Sequence, residues 1–188
     1  RVIRPINFSK VAPGKGWRVF TATQGRKVLV AQVLGQVFMK RPFDDPFSAI
    51  EAVLKTHALG AAVQAAIVDV HAEATSEKMA FGHYMDGRVT CVEGTHTHVP
   101  TADVQVLPSG TAFQTDVGMT GDFDSVIGMT KGSSVPRFTQ VGARGKFGPA
   151  ESEATLCALF VESGLDGLTT RAEPVRIGGC LMPQMPQL

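Results

Sequence analysis

The sequence lacks a long hydrophobic run and an excess of charge of either sign. No apolar stretch approaches the roughly 20 residues that a membrane-spanning helix requires, so we expect no association with a membrane. The 18 Lys and Arg residues face 17 Asp and Glu residues, which gives a formal net charge of +1. This balance argues against a stable complex with nucleic acid, because such complexes need a strongly basic surface.

Cysteine is scarce, and its few positions carry information about the redox compartment. The three cysteines are odd in number and widely spaced, at Cys91, Cys157 and Cys180. Cys91 and Cys157 lie in runs typical of strands, which predicts buried free thiols rather than disulfides. The chain begins with Arg1 and shows no signal peptide. These features favour a cytoplasmic location.

Several signals of other protein classes are also missing. There is no Gly-rich phosphate-binding loop of the Walker type, and Ser76 has no His–Asp relay at a suitable spacing. Internal repeats, low-complexity tracts and a domain boundary are absent. The 188 residues, 44% of them hydrophobic, therefore suit one domain with a substantial core. Residues 178–188, which contain Pro183 and Pro186, are expected to form a loosely held tail.

The order of predicted elements in the first half indicates an α/β fold. A β-hairpin is expected over residues 17–34, with a turn at Gln24–Arg26. A helix should follow, with Asp45 as its N-cap and Gly60 as its stop. Residues 65–70 then predict a buried strand. Strand, helix and strand in this order suggest neighbouring strands joined across a sheet.

After Pro100 the pattern becomes rich in short strands and turns. Met and Phe residues in the Gly-rich segment 116–136 either form the floor of a pocket or pack in the core, which is the default for such side chains. Arg137–Val141 is expected to form a strand. Two hairpins are predicted, one from residues 104–107 and 111–115, the other from residues 155–161 and 168–177.

Two histidine-bearing segments lie where predicted strands give way to loops. His71 directly follows the strand over residues 65–70, and His96 and His98 follow a short buried strand predicted at Arg88–Val92. If the strands are parallel, their ends meet at one edge of the sheet, and the three histidines converge although 25 positions separate His71 from His96. Neutral imidazole is the commonest metal ligand in proteins, so this edge is a candidate metal site.

Acidic residues near these histidines are candidates for orienting the imidazole N–H groups. For each acid the alternative is a solvated surface charge or a turn residue. His57 and His83 fall on predicted helices and are interpreted as surface or helix-end histidines. The candidate orienting acids are Asp69, Glu73, Asp103 and Asp116.

Two longer runs around the histidines carry a family resemblance. Residues 69–78 (DVHAEATSEK) and 94–103 (GTHTHVPTAD) resemble a bacterial branch of the calcineurin-like metallophosphoesterases, typified by the YmdB-type 2′,3′-cyclic-nucleotide phosphodiesterases. Residues 44–47 (DDPF) and 115–121 (TDVGMTG) match as well. The resemblance extends from the first residues to about Ile177.

This resemblance implies both a fold and a chemistry. The fold is a four-layer α/β/β/α sandwich with two metal ions at the strand ends. His71 and His96 would bind one ion and His98 the other, with iron or manganese favoured and zinc possible. The reaction would be phosphodiester hydrolysis of a small substrate such as a cyclic nucleotide. A homo-oligomer is expected.

The sequence also departs from the family pattern. In the family, an N-terminal half supplies an Asp, a bridging Glu, an Asn, and an Asn-His pair whose histidine is the general acid. None of these motifs is present, and residues 1–8 resemble the segment that follows them. The chain therefore resembles the C-terminal two-thirds of the domain, and no general acid is assigned. Either the parent protein is a phosphodiesterase, or a truncated half-domain serves as a catalytically inactive binding or assembly module.

A cupin-type β-barrel is the other metal-protein alternative. Its first motif also carries His-x-His followed by an acid and a strand that ends in glycine, which His96–His98, Asp103 and Val106–Gly110 imitate. A cupin needs a later histidine, however, and none follows His98. The helices predicted in the first half also disagree with this fold.

Overall fold

The computed structural model describes residues 2–40, 43–139 and 145–187. Within these residues, six strands form one mixed sheet in the order β1-β2-β3-β4-β6-β5. β2, β3, β4 and β6 run parallel to one another, while β1 and β5 pair antiparallel at the two edges. The strands are β1 (Trp17–Thr21), β2 (Lys27–Leu34), β3 (Ala65–His71), β4 (Cys91–Thr95), β5 (Gln105–Val106) and β6 (Ala112–Gln114).

The same residues form three α-helices and a second sheet of two antiparallel strands. Asp45 caps the first helix, since its carboxylate accepts the backbone N–H groups of Phe47 and Ser48, and Pro46 occupies the first turn. None of the helices in the described part has the length and apolarity that a membrane crossing requires. The elements are α1 (Pro46–Leu54), α2 (Thr75–Met85), α3 (Lys131–Thr139), β7 (Leu156–Ser163) and β8 (Thr169–Ile177).

The hydrophobic core lies between one face of the large sheet and helices α1 and α2. Alternate residues of β2 and β3 are fully buried there, as the two-residue repeat of a strand requires. Ile50 of α1 and Phe81 and Met85 of α2 pack against them. Because β2, β3, β4 and β6 are parallel, their carboxyl ends lie together at one edge of the sheet. The buried strand residues are Leu29, Ala31, Val33, Ala66, Val68 and Val70.

The turn end of the β7–β8 hairpin is hydrogen-bonded to the amino ends of the parallel strands. The Thr90 hydroxyl donates to the Gly167 carbonyl at 2.7 Å, and the Thr169 hydroxyl donates to the Thr90 carbonyl at 2.6 Å. The Thr169 N–H also donates to the Gly110 carbonyl at 2.7 Å. The turn end of the second sheet is thus anchored away from the edge that carries the histidines, whereas Thr155, at its other end, exchanges two backbone hydrogen bonds with Gly121 after β6.

Most predicted elements are confirmed, including the α/β fold, the Asp45 cap, the hairpin over residues 17–34 and the final hairpin. Cys91 and Cys157 are buried free thiols, as predicted, and Cys180 is free and exposed. The tail beyond residue 177 is not simply loose, because Gln184 and Arg176 exchange two backbone hydrogen bonds of 2.8 and 2.9 Å.

Two element boundaries differ from the prediction. Helix α1 ends at Leu54 rather than near Gly60, because the Thr56 hydroxyl and the His57 Nδ1 each lie 3.1 Å from the Val53 carbonyl oxygen and compete for it. Strand β4 starts three residues later than predicted and contains Gly94. A Cβ at Gly94 would collide with the Thr115 carbonyl oxygen, so glycine here permits close packing of two strands.

The strand predicted at Arg137–Val141 is wrong in its described part. Arg137, Phe138 and Thr139 form the end of helix α3, and residues 140 and 141 lie outside the described residues. The Arg137 Nε donates to the Ser133 carbonyl at 3.2 Å, and the Thr139 hydroxyl donates to the Val135 carbonyl at 3.3 Å. These local side-chain bonds support a helical turn that the short alternating pattern did not indicate.

Candidate metal centre

His71 and His96 meet at the carboxyl edge of the large sheet. His71 is the last residue of β3, and His96 directly follows β4, whose Thr95 lies opposite His71 in the parallel register. The Nε2 of His71 is 3.1 Å from the Nδ1 of His96, with the two rings nearly perpendicular at 85°. The expected convergence of distant histidines is therefore found for this pair.

Hydrogen bonds fix the tautomer of His71. The Thr95 hydroxyl donates to Asp69 Oδ1 at 2.7 Å, so its oxygen is left to accept the N–H of His71 Nδ1 at 3.0 Å. Gln32 Nε2 donates to the other oxygen of Asp69 at 2.5 Å. With its proton on Nδ1, His71 directs the lone pair of Nε2 toward His96.

A carboxylate fixes the tautomer of His96 in the same way. The Nε2 of His96 lies 2.7 Å from Glu73 Oε2. Because an ionised carboxylate only accepts, His96 carries a proton on Nε2. His71 Nε2 and His96 Nδ1 therefore face each other across a space that suits a cation, either a proton in a hydrogen bond between the rings or a metal ion.

The spacing of these two nitrogens suits a shared metal ion. Two imidazole nitrogens bound at about 2.1 Å to one ion, at angles of about 90–110°, lie roughly 3.0–3.4 Å apart. The observed 3.1 Å falls in that range. The outer nitrogens, held by Thr95 and Glu73, show the supporting hydrogen bonds that metal-binding histidines ordinarily have. The two histidines thus fit one ion.

The electrostatics of the site keep His71 neutral. Burial lowers the pKa of His71 below its ordinary value, the neighbouring His96 and Lys78 lower it further, and Asp69 opposes them. Burial also raises the pKa of Asp69, despite the hydrogen bonds from Thr95 and Gln32 that favour its charged form. A neutral imidazole is the form that can bind a metal, and burial favours this form of His71.

His98 points to a different partner. Its Nδ1 lies 2.9 Å from the Ile127 carbonyl oxygen and must donate to it, which leaves the lone pair on Nε2. His96 and His98 both have left-handed backbone conformations, with φ of 122° and 69°. Such conformations are costly for residues other than glycine and tend to cluster at functional sites.

Asp116 holds the loop between the two histidines. Its carboxylate accepts the N–H groups of Thr97 and Gly118 and pairs with the Lys78 ammonium, each at 2.9 Å. Burial raises the pKa of Asp116, but the bonds from Thr97, Lys78 and Gly118 outweigh burial and lower it overall. These bonds go to loop backbone and to a lysine, so the prediction that Asp116 orients an imidazole ring is corrected.

The four predicted acids therefore divide into two pairs. Glu73 bonds directly to an imidazole, and Asp69 acts on His71 through Thr95. Asp103 accepts the Thr115 N–H at 3.3 Å and the Thr115 hydroxyl, so it supports backbone at the end of β6 rather than a histidine. Like Asp116, Asp103 therefore stabilises backbone near the histidines and not an imidazole ring.

Sequence reasoning missed Lys78, Thr95 and Ile127. Lys78 shares a helical face with Phe81 and Met85, at spacings of three and seven residues, and this pattern predicts a buried lysine that needs a partner. Thr95 is identifiable only once the register opposite His71 is known. Nothing in the sequence points to the carbonyl of Ile127.

The remaining histidines lie elsewhere, as interpreted. The His57 ring packs against Trp17, with ring centroids 4.4 Å apart, and His83 is exposed in the last turn of α2. Over residues 2–40, 43–139 and 145–187, no group of three or more His, Cys, Asp or Glu side chains is arranged to hold a metal ion. The described site is thus a pair of converging imidazoles with a third histidine nearby.

Comparison with known proteins gives a consistent result. The sequence model of the YmdB-like protein family matches residues 1–175. Over 172 residues the chain is 41% identical to the 2′,3′-cyclic-nucleotide 2′-phosphodiesterase of Bacillus subtilis, and this match covers 91% of the chain and 62% of that relative. The chain thus spans less than two thirds of the length of this curated relative.

Two solved structures are similar to the fold. A hypothetical protein from Thermus thermophilus superposes with a TM-score of 0.83 at 40% identity, over 95% of this chain and 68% of that one. A novel phosphatase from Mycoplasma pneumoniae superposes with a TM-score of 0.80 at 35% identity, over 94% of this chain and 63% of that one.

Proposed function

This chain belongs to the YmdB-like protein family, and from that premise we propose that it serves metal-dependent hydrolysis of phosphodiesters, with 2′,3′-cyclic nucleotides as the substrate class. The observation that carries the proposal is the approach of two imidazole nitrogens, His71 Nε2 and His96 Nδ1, to 3.1 Å at the carboxyl edge of the sheet. The name of the Bacillus subtilis relative supports the substrate class.

Three histidines carry the metal-binding role in this proposal. His71 and His96 would hold one ion, and His98 would offer its Nε2 to a second. Iron or manganese is favoured and zinc is possible, since imidazole binds all three. When bound, such ions would supply positive charge to the phosphodiester and would lower the pKa of a water molecule.

The surrounding residues keep the histidines in their binding forms. Asp69 and Thr95 hold the proton of His71 on Nδ1, and Glu73 holds that of His96 on Nε2. Asp116 and Lys78 fix the loop that sets the direction of both rings of the His-x-His segment. Each group positions a ligand before any ion arrives.

The test is hydrolysis of 2′,3′-cyclic AMP by the chelator-stripped protein, with and without added Mn²⁺ or Fe²⁺, with products separated by chromatography. We expect hydrolysis with the ions, its loss in EDTA, and its loss in His96→Ala. His83→Ala, which changes an exposed histidine on α2, should retain it. Turnover that is unchanged in His96→Ala would overturn the proposal.

A binding or assembly role without catalysis is the alternative. It is favoured by the observation that, in the part of the chain that the structure describes, no three ligand side chains converge. Measuring bound Mn²⁺ per chain distinguishes the two roles. Two ions together with hydrolysis support the enzyme, whereas one weak ion or none, without hydrolysis, supports the alternative.

A further inference from the structure

An apolar pocket opens beside His98. It has a volume of about 340 Å³ and lies among His98, Val99, Met119, Phe123, Ser125 and Ile127; we call it the Phe123 pocket. Small-molecule sites typically have volumes of about 300–1,000 Å³ and mostly apolar walls with few polar groups. The size and the lining of the Phe123 pocket therefore suit a single flat ring system.

The wall next to His98 is a fixed and strained turn. Val126 and Met129 exchange two backbone hydrogen bonds of 2.9 and 3.0 Å, which leaves Ile127 and Gly128 as a two-residue turn. Both have positive φ, 48° and 92°, as a type I′ turn requires. A β-branched residue is costly at this position, where asparagine or glycine is usual.

Side chains beneath the turn hold it in place. The Ser125 hydroxyl accepts the Gly128 N–H at 2.8 Å and donates to the Asp122 carbonyl at 2.5 Å. The turn can therefore perform two tasks at once. Its Ile127 carbonyl orients His98, and its Ile127 side chain forms the rim of the pocket.

Exposure separates this pocket from ordinary core packing. Val99 and Ile127 are 53% and 54% exposed, and Met119 and Phe123 are only half-buried. Their shared surface is apolar and borders the one nitrogen of His98 that its hydrogen bond leaves available. A ligand with a phosphodiester at the histidines and an aromatic ring next to it would cover this surface.

We propose that the Phe123 pocket receives the nucleobase of the substrate, with the ring against Phe123 and the Met119 thioether. This inference rests on the proposed function, which places the phosphodiester at His71, His96 and His98. Stacking on an aromatic side chain accepts every base, and Met sulfur packs well on aromatic rings. Since Ser125 is the one hydroxyl among the described lining residues, the pocket should select for an aromatic base rather than for one particular base.

The first test observes the pocket directly by NMR. Methionine methyl groups are labelled with ¹³C, the Met119 signal is assigned with Met119→Leu, and Met79, which is exposed on α2, is the internal control. Adding 2′,3′-cyclic AMP should shift the Met119 signal. Methyl riboside 2′,3′-cyclic phosphate, which keeps the sugar and phosphate but has no base, should shift it far less. If the chemical shift of the Met119 methyl group does not change when the nucleotide is added, the inference is overturned.

The second test separates the base from the phosphodiester in kinetics. Phe123→Ala should raise KM for 2′,3′-cyclic AMP about tenfold, because a stacking partner is lost. It should leave KM for the base-free cyclic phosphate unchanged. Phe138→Ala removes a more exposed phenylalanine from a neighbouring pocket and should leave KM for both substrates unchanged. Equal increases in KM for both substrates would overturn the inference.

The two tests distinguish failure of the pocket from failure of the proposed function. If the protein hydrolyses neither substrate while Met119 still responds to the nucleotide, the catalytic proposal fails and the base pocket stands. If both substrates are hydrolysed with the same KM and the nucleotide does not shift the Met119 signal, the pocket inference fails and the catalytic proposal stands.

Discussion

The Lys78 ammonium and the Asp116 carboxylate form an ion pair 2.9 Å long, and only 1% of each side chain is exposed. The pair joins the first turn of helix α2 to the segment that follows β6. The same carboxylate binds the backbone of Thr97 between His96 and His98. A buried charge on a helix is thus part of the support for the candidate metal centre.

Removing one partner of this ion pair should be costly. Lys78→Met leaves the Asp116 carboxylate buried without its counter-ion, and we expect a loss of about 3–5 kcal/mol in the free energy of unfolding. Urea unfolding followed by circular dichroism measures the loss. Lys131→Met, which breaks an exposed ion pair with Asp124, is the matched control and should show no measurable change. Equal stability of Lys78→Met and wild type would contradict this account.

The Thr95 hydroxyl should govern metal affinity without touching the metal. Thr95→Val removes the group that joins His71 to Asp69, so the imidazole loses its fixed tautomer and orientation. We expect Mn²⁺ to bind about 10–100-fold more weakly, measured by isothermal titration calorimetry. Thr21→Val, at an exposed position in β1, should bind as wild type does. An unchanged affinity in Thr95→Val would mean that His71 is not a ligand or needs no positioning.

Gly94 should tolerate no side chain. In Gly94→Ala the new methyl group would collide with the Thr115 carbonyl and press on the Lys78 side chain, so the backbone next to the histidines must move. We expect a large drop in Tm and a loss of metal binding. Gly132→Ala in helix α3 meets no neighbouring atom and should leave both unchanged or raise Tm slightly. Similar Tm values for the two variants would contradict the close approach of β4 and Thr115.

Glu93 should make stability depend on pH. Burial, and then the neighbouring Asp69, raise the pKa of Glu93 from 4.5 to about 7. Between these values the folded chain holds a proton that the unfolded chain has released, so the contribution of Glu93 to stability falls as the pH rises through this window. Glu93→Gln cannot ionise. Its free energy of unfolding should therefore exceed that of wild type by less than about 1 kcal/mol near pH 5 and by an amount of the order of 3 kcal/mol at pH 8.

Urea unfolding at both pH values measures the effect of Glu93. His71 titrates with the opposite sign, because its lowered pKa makes stability rise with pH, but it is present in both proteins and cancels in their difference. Glu153→Gln, at an exposed position, should behave as wild type does at both pH values. A difference between Glu93→Gln and wild type that does not grow with pH would contradict the raised pKa.

The meeting of His71 and His96 could be predicted because it depends on strong local signals. Each histidine follows a buried run of apolar residues, and parallel strands bring such ends to one edge. The cap at Asp45 was equally clear, since a carboxylate before proline starts a helix by a local mechanism. These inferences need only a few neighbouring residues and one rule of sheet geometry.

The hydrogen-bond network could not be predicted because it depends on register and on backbone groups. Thr95 supports His71 only because β3 and β4 pair with these two residues opposite each other, and a shift of one residue would remove it. The partner of His98 is a carbonyl of Ile127, which has no side-chain signature. Helix α3 was missed because its first residues, which include Gly132 and Pro136, are typical of a loop, and the short stretch at Arg137–Thr139 fits both periodicities.

The left-handed backbones of His96, His98 and Ile127 have a consequence for the molecule as a whole. Each such conformation costs about 1–3 kcal/mol relative to a relaxed residue. Asparagine or glycine at these positions would relieve that cost while removing the imidazoles or the pocket rim. The protein should accordingly resist heat better without these residues than with them. The strain is thus a cost in thermal stability that is confined to two short loops, at the candidate site and at the neighbouring pocket.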